Sequence, residues 1–215
     1  MIRAALFDFD GVVIHSEPVI KAAFTLSYQD TIDGGEPPVN EYLSHMGDSF
    51  DNIMKKMGLP STMYDAFSHY SNRLSNLIEV VPGMDALLRD LKSRSVKLAL
   101  VTGKDRKRTL HILQKIGLGN VFDAIVCGDD VANPKPDPEP VLKALRMLGE
   151  GHADALMIGD AANDLRAAHG AQVSSCAVTW GTGTVDELRN ERPGYMVQSP
   201  SELRNVLQGC VNTFA

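Results

Sequence analysis

The chain has 215 residues, 44% of them apolar and 22% charged, and a formal net charge of −6. That length suits one well-cored domain, or a domain carrying a smaller insert. The acidic balance gives no reason to expect nucleic acid, whose phosphate backbone needs a basic partner surface, but it leaves room for a small phosphorylated ligand at a local positive site.

No apolar run approaches the roughly 20 residues of a membrane span. The first residues run straight into a strand pattern, without a charged-then-apolar signal region. The expectation is a cytoplasmic protein with no membrane partner, and a monomer. Cys127, Cys176 and Cys210 lack metal-like spacing and read as reduced thiols.

In chain order, "RAALFDFD" (3–10) is a strand-length apolar run that stops at two acids. From 17 to 80 no strand-like run follows. Three helix-like segments, 18–31, 39–57 and 61–78, are punctuated by "DGGEPP" and "GLP". This block reads as an inserted α-helical cap over 17–80, hinged near 13–16 and 80–83. The core is then 1–16 together with 81–215. A helical pattern, "MDALLRDLKSR" (84–94), leads to the strand "VKLALVTG" (96–103). "RKRTLHILQKIGL" (106–118) has its helix stop at Gly117 and precedes the strand "DAIVCGDD" (123–130). "PEPVLKALRMLG" (138–149) opens on prolines and ends at Gly149. The strands "ALMIGDAA" (155–162) and "SSCAVTWG" (174–181) complete the series. Strands alternating with helices predict an α/β fold, a doubly wound parallel sheet of Rossmann-like type.

In open α/β sheets, ligands bind at the carboxyl ends of the strands. The residues there are Asp8 and Asp10, then Thr102 and Gly103, then Lys135, then Asp160 and Asp164. Several carboxylates converging on one edge repel each other unless a cation joins them, and an all-oxygen set suits Mg²⁺. A lysine and a hydroxyl beside that cation suit a phosphoryl group. One aspartate can attack phosphorus, and a second can move the proton of the leaving oxygen and then of water.

These stretches resemble the motifs of the haloacid dehalogenase-like superfamily. "DFDGVV" is similar to its DxDG signature, "LVTG" to its second motif, "NPKPDPE" to its third and "IGDAAND" to its GDxxxD fourth, all in the family's order. The resemblance implies a phosphatase with Mg²⁺ as cofactor. Asp8 would be nucleophile and metal ligand. Asp10 would be general acid and base, and would ligate metal through its carbonyl. Thr102, Lys135, Gly103 and the Gly11 loop would hold the phosphoryl group, and Asp160 and Asp164 would complete the metal site. An aspartate at position 10 fits the superfamily's phosphatases and phosphomutases, and argues against its dehalogenases and ion-pumping ATPases.

The family's caps act as lids that select the substrate. Gly47, Asp48 and Ser49, in a turn within the cap, are the candidates for reading the leaving group. An acid at 48 would repel a carboxylate and accept from hydroxyls or an amine, which favours a sugar or amino-sugar phosphate. The cap stretch from Gly35 to Pro60 is also similar to that of small phosphatases of aminohydroxybenzoate antibiotic pathways. Two alternatives stand beside this. A phosphomutase of the β-phosphoglucomutase type would carry a hinge histidine near Ile20, which is absent. A non-catalytic binding module should have lost the nucleophile, the lysine or a metal acid, and none is missing. The basic run at Lys104, Arg106, Lys107 and Arg108 reads as a solvated helix face, and Trp180 as a packing residue.

Overall fold

The computed structural model describes residues 2–209; Cys210 lies outside them. The chain runs β1 (Ala4–Phe7), β2 (Ile14–His15), α1 (Glu17–Thr31), α2 (Val39–Ser44), α3 (Phe50–Met57) and α4 (Met63–Arg73). It continues with β3 (Glu79–Val80), α5 (Met84–Ser93), β4 (Lys97–Val101), α6 (Arg106–Lys115), β5 (Ala124–Val126) and α7 (Glu139–Leu148). It closes with β6 (Ala155–Gly159), α8 (Ala162–Gly170), β7 (Ser174–Val178), α9 (Val185–Asn190), β8 (Tyr195–Val197) and α10 (Pro200–Leu207).

Six strands form one parallel sheet in the order β5-β4-β1-β6-β7-β8. β1, β4, β6 and β7 stop directly before an aspartate or a threonine. Side chains alternate across a strand, so β1 sends Ala5 and Phe7 to one face and Ala4 and Leu6 to the other. The first face packs on Leu87, Leu88 and Leu91 of α5, with Leu203 of α10. The second packs on Val141, Ala144 and Leu148 of α7, with Ala167 and Ala168 of α8. Burial on both faces is what a parallel sheet requires. Strand order reverses at β1, which places a crevice at its carboxyl end.

The segment between β2 and β3 is helical. It has its own apolar cluster, with Phe24 stacked on Tyr42 at 4.2 Å and Phe50 on Phe67 at 4.9 Å. β2 and β3 pair antiparallel, so the chain leaves and re-enters the core through one narrow ribbon. The helix expected over 39–57 is two helices. Gly47 takes φ +92°, a left-handed conformation no helix contains, and Ser49 then caps α3 by accepting from the Asn52 amide. The segment expected over 61–78 likewise ends at Arg73, followed by one 3₁₀ turn at Ser75–Leu77. β8 was not signalled: it has three residues, two of them half-exposed. Among the described residues no helix is long and apolar enough to cross a membrane.

Candidate active site

Asp8 follows the last residue of β1, and its amide donates to the Ile158 carbonyl of β6. Asp160 follows β6 directly, and Asp164 lies in the first turn of α8. Lys135, from the loop between β5 and α7, reaches back under the sheet edge. Its ammonium donates to Asp8 Oδ1 at 2.7 Å, to Asp164 Oδ1 at 2.5 Å and to the Val101 carbonyl at 3.1 Å. Asp8 is 3% exposed, Lys135 1%, Asp160 2% and Asp164 0%. One carboxylate oxygen from each of Asp8, Asp160 and Asp164 lies within 4.8 Å of the others.

Three buried carboxylates against one ammonium leave an excess of negative charge in a low-dielectric place. Burial pushes the Asp8 carboxyl well above its ordinary value, Lys135 opposes this, and the charges of Asp164 and Asp160 add to it. Asp160 is pushed up to about 7, by burial and then by Asp164, against hydrogen bonds from Thr182. The Lys135 ammonium is raised despite its burial, through Asp164 and Asp8. The set therefore calls for a further cation, and its donors are all oxygens, as a hard divalent ion prefers. Small residues make room for it: a Cβ at Gly11, which takes φ +81°, would collide with Asp160 Oδ2.

Asp10 is separate from this cluster and half-buried. Ser16 donates to its Oδ1 at 2.5 Å, and the ammonium of Lys104 lies 3.1 Å from its Oδ2. Thr102 directly follows β4, its hydroxyl accepting from the Lys104 amide at 3.1 Å. Asp8, Thr102, Lys135, Asp160 and Asp164 thus meet at one edge, with Asp10 and Gly11 beside them.

The basic run after β4 is not a solvated face throughout. Lys104 is buried against Asp10. Burial lowers its pKa, Asp10 opposes that, and Arg108 adds to it. Arg108 is 4% exposed and stacks on rings of the insert. Two further site residues were not foreseen, Ser16 and Thr182; the latter holds Asp160 Oδ2 through both its amide and its hydroxyl. Each is a lone hydroxyl in a loop, which carries no sequence signal. Lys104 had one, since it directly follows the "LVTG" stretch.

The insert meets the site at its own turn. Gly47 faces Ala161 and Asn163, and the Asp48 carbonyl packs against Gly103, where an added Cβ would come to 2.5 Å from it. The Asp48 carboxylate accepts from the Ser49 amide, the Asn52 side chain and Lys56, all within the insert. These three donors offset its charge and tie it to the turn. Ser49 lines a seam cleft of about 670 Å³ that starts at Gly103 and runs between α3, α4 and the loops after β4 and β5. Trp180 packs on the core, and its indole N–H donates to the Val12 carbonyl.

The model of the haloacid dehalogenase-like hydrolase family matches residues 5–178. The pyrophosphatase PpaX of Bacillus pumilus is 33% identical over 210 residues, covering 94% of each chain. That of Bacillus velezensis is 32% identical over 213 residues, 95% of this chain and 96% of its own. Two solved structures share the fold. A hydrolase from Pseudomonas syringae superposes with TM-score 0.86 at 24% identity, over 97% of this chain and 99% of its own. CbbY from Rhodobacter sphaeroides, solved with phosphate, gives 0.83 at 23%, over 94% and 96%.

Proposed function

The chain belongs to the haloacid dehalogenase-like hydrolases and is a phosphatase of that family; we propose that it cleaves a small phosphate monoester through a phosphoryl-aspartate at Asp8, with Mg²⁺ as cofactor. The observation that carries this reading is the buried set of Asp8, Asp160, Asp164 and Lys135 at one strand edge. Asp8, Asp160 and Asp164, with the Asp10 carbonyl, would hold the ion. When bound, it neutralises charge on the phosphoryl oxygens.

The protein's own groups do the rest. Lys135 grips Asp8 and keeps a positive charge where the phosphoryl oxygens come to lie. An Asp8 oxygen attacks phosphorus as the ester P–O bond breaks, and Asp10 gives the departing oxygen its proton. Water then attacks the phosphoryl-aspartate, Asp10 takes its proton, and phosphate leaves with Asp8 restored. Thr102 and Gly103 close the other side of the phosphoryl group. The partner is a small phosphorylated metabolite. We place the enzyme in the cytoplasm, where Cys127 and Cys176, buried and free, stay reduced, and take it to act as a monomer.

For the leaving group, the seam cleft favours a sugar or amino-sugar phosphate. It adjoins the site at Gly103 and has room for a small-molecule leaving group. Hydroxyl and amide groups of Ser49, Asn52 and Thr62 line it, partners suited to hydroxyls and amines, while the one cation among the described residues of its lining, Arg108, is already tied to Asp105. Pyrophosphate is the second reading, on the names of the Bacillus relatives. The test is phosphate release from a panel of hexose phosphates, amino-hexose phosphates, 2-phosphoglycolate and pyrophosphate with Mg²⁺. Higher kcat/KM on pyrophosphate or 2-phosphoglycolate would reject the sugar reading, and no release from any compound would reject the phosphatase assignment.

A further inference from the structure

In the arrangement seen, Asp8 is almost closed to solvent, at 3% exposure. The nucleophile, Lys135 and Thr102 are all buried, and the insert's Gly47–Asp48 turn sits on Gly103 and Ala161. The insert must swing away to admit substrate and return before chemistry. What holds it shut therefore governs access.

One face of α6 makes the crossing contacts. Near its end, Lys115 donates to Ser75 at 3.1 Å, and His111 lies 3.4 Å from the same hydroxyl. Ser75 stands close in sequence to the β2–β3 ribbon, so this end of α6 serves the pivot. Seven residues earlier, about 10 Å along the helix, Arg108 grips the far part of the insert. Its guanidinium carbon lies 4.9 Å from the Phe67 ring centre and 5.9 Å from that of Tyr64. Asp105 caps α6 by accepting from the Arg108 amide at 2.9 Å, and it also takes the guanidinium Nε–H. The Tyr64 hydroxyl faces Asp105; burial raises its pKa, and the Asp105 charge adds to this.

This grip is finely balanced. Arg108 Nη1 is buried and has no hydrogen-bond partner among the described residues. A buried unpaired N–H costs free energy of the same order as stacking on aromatic faces returns. Swinging the insert away returns that N–H to water and gives up the stacking. Neither state wins by much through this residue, as a lid that must open each turnover requires.

We infer that Arg108, braced by Asp105, is a positioning residue that latches the insert over Asp8 through Tyr64 and Phe67. The inference rests on the phosphatase reading only in supposing that closure precedes chemistry. The reporter is already in place. Trp180 is the chain's single tryptophan, and it lines a small cavity of about 280 Å³ together with Met46, Glu17 and Pro18 of the insert. Opening exposes it.

The experiment is acrylamide quenching of Trp180 emission in wild type, Arg108→Ala and Tyr64→Ala, without ligand and then with Mg²⁺ and orthovanadate. Tyr64 is half-exposed, so its truncation tests the latch from the other side without emptying the insert's core. Unlatching raises the quenching constant about threefold in both variants, and the phosphoryl mimic brings it back to the wild-type value. Phosphate-release kinetics on the same proteins show KM rising more than kcat falls. Quenching constants equal to wild type in Arg108→Ala, or in Tyr64→Ala should the first variant not fold, overturn the latch. Turnover by wild type judges the phosphatase reading separately, because quenching needs none.

Discussion

On the core side of the cleft, Asp8, Lys135, Asp160 and Asp164 come from the ends of three strands, β1, β5 and β6, and none is more than 3% exposed. On the insert side, the contacts are a glycine against a carbonyl, a guanidinium on two rings, and a carboxylate tied to its own helix. The first set is held by charge in a dry place, where each member is costly to leave unpaired. The second is held by shape and stacking, where single losses are small. The difference matches the work. On the proposed mechanism the core keeps its geometry while phosphorus changes partners, and the insert lets go.

The largest effect expected is at Asp8, the proposed nucleophile. Asp8→Asn keeps the shape and leaves Lys135 paired to Asp164, so the fold should stand while phosphate release falls on the order of 10⁴-fold. Turnover within tenfold of wild type would remove Asp8 from the role. Lys135→Met comes next, since it leaves three acids facing one another. Stability should drop by about 3–5 kcal/mol in urea unfolding, and Mg²⁺ should recover more of it than it adds to wild type.

The same crowding fixes a pH trend. Asp160 has an ordinary value of 3.8 and is pushed up to about 7 in the folded chain. A raised acid pKa means that the folded state holds the proton more tightly. Its contribution to stability is then complete below pH about 4 and is lost as pH climbs through 7. In chelator, the thermal midpoint of wild type minus that of Asp160→Asn should therefore fall between pH 4 and 7, and Mg²⁺ should reverse the fall at pH 7. A difference that rises across that window would contradict the burial argument. On the surface, Asp123 and Asp130 are lowered below their ordinary value, although burial alone would raise them, and their contributions run the other way.

The core half of this site could be read from the sequence because strand ends announce themselves. An apolar run that stops on "DFD" or "GD" puts acids at the carboxyl edge whatever the loops do. The insert half could not. Whether Arg108 is solvated or buried depends on which face of α6 the insert covers, and that is decided by packing between segments more than 30 residues apart. Leu110, on the same helix, is 43% exposed while Arg108 is 4%, the reverse of what hydropathy suggests. The break at Gly47 was equally hidden, since glycine inside a helical pattern is often tolerated. β2 and β3, at two residues each, are too short for any period to show.

Between the two halves lies Gly103. A Cβ there would meet the Asp48 carbonyl at 2.5 Å and the Gly47 carbonyl at 2.9 Å, both backbone atoms that cannot turn aside. Gly103→Ala should push the insert off the core, lowering kcat/KM about tenfold with a stability loss of about 1–3 kcal/mol. The split matters: unfolding of the core as a cause would lower both in step with Lys135→Met.

The smallest effect expected tests the insert from within. Lys56 is 46% exposed at its side chain, while the Asp48 side chain it holds is 1% exposed. Truncating the lysine leaves Asp48 its bonds from the Ser49 amide and the Asn52 side chain, so the buried charge keeps two of three donors. Solvent also screens the pair from the lysine side. Lys56→Ala should cost about 1 kcal/mol or less, shrinking further in high salt. A loss of the size set by Lys135 would mean that the Asp48 turn is held by charge as rigidly as Asp8 is. The insert could not then yield at that turn, and access to Asp8 would have to come by another route.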